Sequence, residues 1–493
     1  MSPKGKISSS CLEILLFLAI LDAFWWTLFA YGDSWLVPWH DEVVIVRLAQ
    51  NLAEGKGFRN DLIDNLLTGA DERTYWQMPL YPFVLSLWGK LFGFDLDSVR
   101  SFSRVIGLVS LFLLFHLGRS LNLPSAAVLL SILWTATDLT FQFSANFARP
   151  EAVTGCLLLL TVVLLTSQPQ LNLAKSMLAG LVSGFAVFSH PIAFPCWLVT
   201  ASVIVKRSGW RNGFWFSLPF LLFASIWLVY VLQGWEIFLA QIRAHFAHKH
   251  YPITDRLAFL LGSTAWGIQF YIGVPLNTIP WFIPIVMTAW VGLREKWLLP
   301  KWLFVFATIL YAAAMIGAEA WYPPLFVPFG YLMLASFANH LLQKSSTKLG
   351  RVVLVAAVLS WWLCQVWVVK QHLSAVPTIQ EQVANFVADL ERLLPSRATV
   401  LIGSFSPDPT FALMKRRPDL KIYTLMPSQM LNVEALKQLR SHHLTHILVL
   451  EEALVEPLLR GKEIKRWQFD FGGLANRQGE KTIVLLTTRE ATQ

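Results

Sequence analysis

Residues 213–232 read GFWFSLPFLLFASIWLVYVL, a run of twenty residues without a charged side chain. A helix of this length crosses the ~30 Å hydrocarbon core of a bilayer. Lys206, Arg207 and Arg211 precede the run and a polar segment follows it. Basic residues mark the cytoplasmic end of a membrane span. The stretch therefore predicts a transmembrane helix that runs outward.

Similar apolar runs recur along the whole chain. Of its 493 residues 55% are hydrophobic and 14% are charged, against about 25% charged in soluble domains. The net charge of +9 does not indicate nucleic-acid binding, because many Lys and Arg lie in short loops beside the apolar runs. The four cysteines fall in apolar segments and form neither a metal pair nor a disulfide framework. This composition predicts a polytopic α-helical membrane protein.

The apolar runs predict about eleven transmembrane helices. The predicted spans are 12–31, 102–117, 126–143, 152–166, 177–188, 192–205, 213–232, 257–293, 302–318, 322–342 and 352–369. Prolines break 257–293, which we count as one span. Each loop assigned to the cytoplasm then carries at least one basic residue, so the N-terminus is expected inside and the protein in the cytoplasmic membrane.

Two regions outside the spans are long enough to have structure of their own. The first outer loop, 32–101, contains amphipathic segments at 42–52 and 80–92, expected as interfacial helices. Residues 1–372 would form the transmembrane catalytic domain, and residues 373–493 a soluble, extracytoplasmic α/β domain of ordinary size. In it we predict strands at 400–402, 421–424, 446–450 and 482–486, and helices at 379–394, opened by Pro377, and at 433–440.

Polar clusters occur where four predicted spans end, all on the outer side. They are His40-Asp41-Glu42, Arg149-Pro150-Glu151, His190-Pro191 and Glu319-Ala320-Trp321-Tyr322. Ionisable residues at the membrane are costly and are commonly functional. Their shared side predicts a single active site built from distant parts of the chain.

The chemistry of these clusters suits a transfer reaction. Asp41 and Glu42 are candidate catalytic residues, because a carboxylate in low-dielectric surroundings serves as a general base. Arg149 can pair with Glu151 or bind a phosphate oxygen through its planar fork. His190 can donate to a phosphate or carry a proton. Each of these also fits a plain alternative, namely a solvated acidic loop, an arginine snorkelling to the interface, or a structural histidine at a helix end.

The last cluster and residues 233–256 also contain polar and aromatic side chains. Glu319, Trp321 and Tyr322 combine a carboxylate with two aromatic rings that can cover a sugar face, although an interfacial aromatic belt is the plain alternative. Residues 233–256 contain His245, His248 and His250, whose spacing does not suit a metal site, so we expect a polar, mobile loop there.

Taken together, the motifs resemble the membrane glycosyltransferases of the GT-C fold. The group they are most similar to contains the bacterial protein O-mannosyltransferases and the lipid-A aminoarabinose transferase. The motifs are, in order, Asp41-Glu42, Met78-Pro79-Leu80-Tyr81-Pro82, Leu87–Gly93, Arg149-Pro150-Glu151, His190-Pro191 and Tyr322–Pro328. The chain departs from that group where Gln77, His190 and Trp321 stand, which leaves the donor head group open.

The resemblance implies a polyprenyl-phosphate-linked sugar donor on the outer face of the membrane. It implies that Asp41 is the general base for an acceptor hydroxyl, which attacks the anomeric carbon with inversion. The departing phosphate needs cationic stabilisation, for which the candidates are Arg149, His190 and Lys90. The remaining carboxylates, Glu42, Glu151 and Glu319, would bind sugar hydroxyls or orient those cations.

The partners implied are the lipid-linked donor, membrane lipids and an acceptor that is lipid, glycan or protein, with no nucleic acid. No cofactor is expected; a divalent metal is left open, although the sequence offers no carboxylate cage for one. Two other classes stay in view. A transporter or lipid flippase would need charges deep within spans, for which Asp138 and Glu236 are the nearest candidates. A membrane scaffold without enzymatic activity is the third.

Overall fold

The computed structural model describes residues 9–29, 38–168, 170–248, 299–316, 322–427, 430–451, 461–469 and 481–488. Most of these residues are helical. The helices before the gap at 249–298 are α1 (Ser9–Phe29), α2 (His40–Ala53), α3 (Leu80–Phe92), α4 (Leu96–Ser120), α5 (Ser125–Thr137), α6 (Leu139–Ser144), α7 (Pro150–Thr166), α8 (Leu173–Ser189), α9 (Phe194–Ser208), α10 (Trp210–Leu232) and α11 (Trp235–His248). After it come α12 (Lys301–Ile316), α13 (Pro323–Lys344), α14 (Lys348–Leu393), α15 (Thr410–Arg416) and α16 (Val433–His442).

Five of the described helices are long and apolar enough to cross a membrane, by length and composition. They are α1, α4, α10, α13 and the first part of α14. Helices α3, α5, α7, α8 and α12 are apolar but shorter. The predicted span 257–293 lies outside the described residues, and the count of about eleven stays a prediction.

Three predicted elements were wrong in detail. Pro377 lies inside α14 instead of opening a new helix, because one lost hydrogen bond and a kink do not end a helix of this length. The span 126–143 is divided by Asp138, which ends α5 and caps α6 through the Phe141 N–H at 3.0 Å. Residues 235–248 form α11 where a loop was expected, because tertiary contacts of Gln241, described below, hold the segment.

The transmembrane helices pack closely where glycines face a neighbour. A Cβ on Gly180 of α8 would lie 1.8 Å from the carbonyl oxygen of Phe216 on α10, so only glycine permits this crossing. Small residues at helix crossings are typical of membrane bundles, where van der Waals contact drives association. The buried core of the bundle extends over α1, α4, α5, α7, α9, α12 and α13.

The C-terminal part is a five-stranded mixed sheet. Its strands are β1 (Thr399–Ile402), β2 (Lys421–Thr424), β3 (His446–Leu450), β4 (Lys462–Phe469) and β5 (Lys481–Thr487), in the order β2-β1-β3-β5-β4. The strands β2, β1 and β3 are parallel, and β5 is antiparallel to both β3 and β4. Four of these strands agree with the sequence prediction, which missed β4. The polar, alternating pattern KEIKRWQF of that strand is weak evidence for an edge strand.

Helix α2 connects the sheet with the transmembrane bundle. Val43 packs into the core on one face of the sheet, and Val44 packs into the core on the other face. Ile45 and Val46 turn instead toward α3, α4 and the start of α7. Because all these faces of α2 are buried, its first turn is held rigidly. The domain boundary predicted at 372/373 falls within α14, and the division into two domains stays a prediction.

Candidate active site

The first turn of α2 is built around Glu42, whose side chain is fully buried. Its Oε2 accepts from the Trp39 backbone N–H at 3.2 Å, which closes the start of the helix. Arg100 of α4 donates to both carboxylate oxygens, at 3.0 and 2.6 Å, and the Ala148 N–H donates at 2.9 Å. Such forked, charge-assisted bonds are the strong ones. Glu42 therefore ties α2 to α4 and to the segment before α7.

Asp41 lies one residue earlier and faces outward, with its side chain 41% exposed. The Nη1 of Arg149 donates to Asp41 Oδ2. The same guanidinium binds Glu151 through Nε at 3.2 Å and Nη2 at 2.9 Å. Arg149 thus joins two carboxylates from separate segments, and its pairing with Glu151 is one of the options that the sequence left open.

Among the described residues, three carboxylates, Asp41, Glu42 and Glu151, pair with two guanidiniums, Arg100 and Arg149. Asp41 is the most exposed of the three, whereas Glu42 and Glu151 are buried. A partly exposed carboxylate beside a buried ionic network can accept a proton from a bound molecule.

A narrow crevice beside Glu151 lies between the helices of the bundle. Its walls are Gly107, Ser110, Phe141, Ser144, Ala145, Ala152, Gly155, Leu159 and Pro328, from α4, α6, α7 and α13. The solvent-accessible space is about 10 Å³, close to what one water molecule needs. Glu151 lies in the first turn of α7, where the helix dipole favours a negative charge.

His190 of the third predicted cluster lies against Tyr322 of the fourth. His190 ends α8 and accepts from the Ile192 N–H through Nδ1 at 3.2 Å. Its ring lies edge-on to Tyr322, with ring centroids 5.1 Å apart. Ser189, beside it, accepts from Thr154 Oγ1 of α7 at 3.0 Å. The end of α8 therefore lies beside the start of α7, which carries Glu151.

Of the three remaining predicted residues, the structure describes only Lys90. Lys90 is exposed in the last turn of α3. It lies nine residues beyond Tyr81, which packs beside Ala148, and so about 13 Å farther along the helix axis. Glu319 and Trp321 lie outside the described residues. In the ranges that the structure covers, no three metal-type side chains gather for a metal ion.

Two buried arginines of α4 were missed. Arg100 holds Glu42, and Arg104 donates to Asp97 Oδ1 and Asn146 Oδ1, each at 2.6 Å. Both arginine side chains are fully buried. The signal was present in the sequence, since two arginines four residues apart at the start of an apolar run share one helix face and require buried partners.

The segment before α3 is attached to α10 and α11. Gln241 of α11 is fully buried. It accepts from the Tyr75 N–H at 2.7 Å and donates to the carbonyls of Thr68 and Arg73, at 3.0 and 2.8 Å. Arg73 also lies over the ring of Tyr230, 5.1 Å from its centroid. These contacts fix the loop that follows α2 to the helices α10 and α11.

Comparison with known proteins agrees with this architecture. Residues 77–235 match the family described as dolichyl-phosphate-mannose-protein mannosyltransferase. Among curated protein sequences there is no match.

Three solved structures are similar over most of the chain. ArnT from Cupriavidus metallidurans in the apo state has a TM-score of 0.55 at 11% identity, covering 98% of this chain and 99% of that one. The same protein bound to undecaprenyl phosphate has a TM-score of 0.52 at 13% identity, covering 96% and 97%. The oligosaccharyltransferase AglB from Archaeoglobus fulgidus, in complex with an inhibitory peptide and a dolichol-phosphate, has a TM-score of 0.55 at 10% identity, covering 90% and 70%.

The chain therefore has the GT-C fold, and the resemblance predicted from its motifs is confirmed. It is a multi-pass membrane protein similar to the mannosyltransferase family that its residues 77–235 match.

Proposed function

We propose that this protein transfers a sugar from a polyprenyl-phosphate-linked donor to an acceptor hydroxyl on the outer face of the cytoplasmic membrane. The observation that carries the proposal is the position of Asp41. It is a partly exposed carboxylate, oriented by Arg149, next to the buried Glu42–Arg100 pair. A base held rigidly but open to a second molecule suits catalysis by a general base.

In the proposed reaction Asp41 accepts the proton of the acceptor hydroxyl. The hydroxyl oxygen forms a bond to the anomeric carbon while the bond from that carbon to the phosphate oxygen breaks. Polyprenyl phosphate leaves with the electron pair, and a single displacement inverts the anomeric centre. Arg149 orients Asp41, and Glu42 fixes the turn that carries both acidic residues.

The leaving phosphate requires positive charge more than it requires a proton. Lys90, Arg149 and His190 are the proposed contacts. Arg149 already pairs with Asp41 and Glu151, so its charge is shared. His190 lies against Tyr322, and we propose that this pair, with Glu319 and Trp321, forms the sugar-binding side of the site.

The similar proteins support the kind of donor. Undecaprenyl phosphate is bound by ArnT, and dolichol-phosphate by AglB. The structure of AglB also holds an inhibitory peptide. We propose the orientation from the distribution of basic residues, with the N-terminus in the cytoplasm and the C-terminal sheet outside.

The experiment is a transfer assay on the purified full chain in vesicles, with a radiolabelled polyprenyl-phosphate sugar and envelope extract as acceptor. Wild type is expected to form a glycosidic bond of inverted configuration. Asp41→Asn should lower the turnover by at least about a hundredfold. Asp71→Asn, the same change elsewhere in the outer loop, should leave turnover intact. An Asp41→Asn protein with full turnover would remove Asp41 from the reaction.

A transporter is the second candidate, and Asp138 is the observation that favours it. This carboxylate is buried among helices, as in many proton and ion pathways. However, its oxygens accept from Thr140 Oγ1 at 2.5 Å and from the Tyr331 hydroxyl at 2.9 Å, which suits a structural cap. Vesicles that accumulate the sugar lipid on the opposite side without forming a new glycosidic bond would favour transport.

A further inference from the structure

The loop that follows β1 contacts the candidate active site directly. It comprises residues 403–409 of the C-terminal part and is called the β1 loop here. Its Asp408 N–H donates to the Pro38 carbonyl at 2.9 Å, and Ser406 Oγ donates to the same oxygen at 3.2 Å. Pro38 lies three residues before Asp41. The contact therefore joins parts of the chain that are about 370 residues apart in sequence.

A buried acid–imidazole pair reinforces this contact. His40 Nδ1 lies 3.4 Å from Asp408 Oδ2, and the two side chains are 4% and 0% exposed. Within the part of the chain that the structure describes, neither ring nitrogen of His40 has a hydrogen-bond partner, nor does Asp408 Oδ2. Asp408 Oδ1 accepts from the Thr410 N–H at 2.8 Å. Because buried polar groups are costly without partners, each member of this pair depends on the other.

The contact also has an apolar component. Phe411, at the start of α15, packs against the cluster that contains Ile45, Val46 and Ala148. Ala148 donates the backbone N–H that Glu42 accepts. The β1 loop and its following helix thus touch both sides of the turn that carries Asp41.

The contact lies at the carboxyl ends of the parallel strands β1 and β2. In the order β2-β1-β3, the chain leaves β1 toward one side and returns as β3 on the other. Such a switch point opens a crevice at the carboxyl ends of the strands, where α/β proteins bind ligands. Here residues 38–66 occupy the crevice at the carboxyl ends of these strands. Thr424 N–H donates to the Leu62 carbonyl at 2.8 Å, and Asn432 N–H donates to the Leu66 carbonyl at 2.7 Å.

We infer that the carboxyl ends of the strands in the C-terminal sheet hold the candidate active-site turn in place. We further infer that Asp408 is a positioning residue that acts on Asp41 through His40. The inference rests on the proposed function, since it assigns the C-terminal part a role in the same transfer. Asp408 touches no substrate in this role. It fixes the direction in which the first turn of α2 presents Asp41.

Turnover of the full chain in vesicles tests the inference first. Asp408→Ala leaves His40 buried without its partner, and we expect kcat to fall at least tenfold while KM for the lipid-linked donor changes less than twofold. Asp408→Asn keeps an acceptor for Thr410 and a polar partner for His40, and should retain at least a third of wild-type turnover. Asp419→Asn is the matched control, because Asp419 pairs with Arg417 at the opposite edge of the sheet, where the chain enters β2.

Amide hydrogen exchange tests the inference without any reaction. In Asp408→Ala we expect exchange in residues 38–46 to rise at least fivefold, with exchange in α7 and α10 unchanged. If Asp408→Ala does not fold, Ser406→Ala and Asp408→Asn provide the same comparison with smaller changes. If wild type shows no transfer activity but Asp408→Ala still raises exchange in residues 38–46, the proposed function is contradicted and the contact between Asp408 and His40 is supported.

Two results would overturn the inference. One is full kcat in Asp408→Ala together with unchanged exchange at 38–46. The other is a loss of activity that matches the loss of folded protein, with kcat per folded molecule and the exchange pattern as in wild type. The second result would mean that Asp408 only stabilises the fold.

Discussion

The two sides of the first turn of α2 differ in how deeply their carboxylates are buried and in how these are paired. On the inner side, Glu42 and Arg100 are both fully buried and bind each other through two hydrogen bonds. On the outer side, Asp41 is 41% exposed and shares Arg149 with Glu151. Adjacent acidic residues thus have separate roles. The inner pair fixes the helix, and in the proposed reaction the exposed carboxylate of Asp41 accepts the proton.

The largest effect is expected on the inner side. Glu42→Ala leaves Arg100 buried without its carboxylate, which costs about 3–5 kcal/mol. That is a large fraction of a typical stability of about 5–15 kcal/mol. The yield of folded protein and its melting temperature in detergent should fall sharply.

The matched control for that change is Glu72→Ala, an exposed acidic residue of the same outer loop. If Glu42→Ala melts at the same temperature as Glu72→Ala, the inner pair does not anchor α2, and the contrast between the two sides fails.

On the outer side the expected effect is on turnover. Lysine keeps the charge of Arg149 but cannot bind Asp41 and Glu151 together through a planar fork. Arg149→Lys should lower kcat/KM about tenfold to a hundredfold, or ~1.4–2.7 kcal/mol. The melting temperature should stay within a few degrees of wild type. A variant with a lowered melting temperature but normal turnover would mean that Arg149 stabilises the fold and does not serve the reaction.

A third pair, Arg47 in the middle of α2 and Asp61 in the loop that follows it, sharpens the comparison through pH. Burial raises the pKa of Asp61, but hydrogen bonds from Arg47 and Asn51 outweigh it and lower the pKa to about 2. Because the folded pKa lies below the unfolded value of about 3.9, this stabilisation is complete above about pH 4 and is lost as the pH falls toward 2.

The carboxylate of Asp61 is 35% exposed, so solvent screening reduces the contribution to about 1 kcal/mol. Asp61→Asn should lower the melting temperature at pH 7, and the gap from wild type should close between pH 4 and pH 2. Melting curves of both proteins across this range measure it. A gap of constant size down to pH 2 would show that the ion pair is not its source.

The smallest effect is expected at the surface of the C-terminal part. Arg416 and Glu391 form an ion pair at 3.1 Å, with side chains 58% and 28% exposed. Such pairs contribute less than about 1 kcal/mol. Arg416→Ala should therefore shift the melting temperature by no more than a degree or two. A large shift would mean that the exposed fraction of a charged side chain does not predict its contribution to stability. The comparison of the two sides of α2 depends on that relation.

The sequence predicted well wherever a local pattern carries the information. The apolar runs and their flanking charges gave the helical class, and the bounds of α3 agree with the predicted segment 80–92. The alternating apolar residues gave four of the five strands. The pairing of Arg149 with Glu151 follows from their spacing, and the meeting of His190 with Tyr322 follows from their shared end of the spans.

What the sequence did not give depends on contacts between distant segments. Arg100 was assigned to the outer loop, because the partner that allows its burial, Glu42, lies 58 residues away. The helical state of 235–248 depends on Gln241 reaching Thr68 and Arg73. No local pattern indicates that His40 meets Asp408. Such pairs are fixed by the topology of the whole chain.

The account depends most directly on the side of the membrane to which the first turn of α2 opens. Single-cysteine variants Asp41→Cys and Lys206→Cys, in a background with the four native cysteines replaced, can be labelled with a membrane-impermeant maleimide on intact cells. We expect Asp41→Cys to react from outside and Lys206→Cys to react only after permeabilisation. Labelling of Asp41→Cys only after permeabilisation would contradict the account, because the turn would then face the cytoplasm.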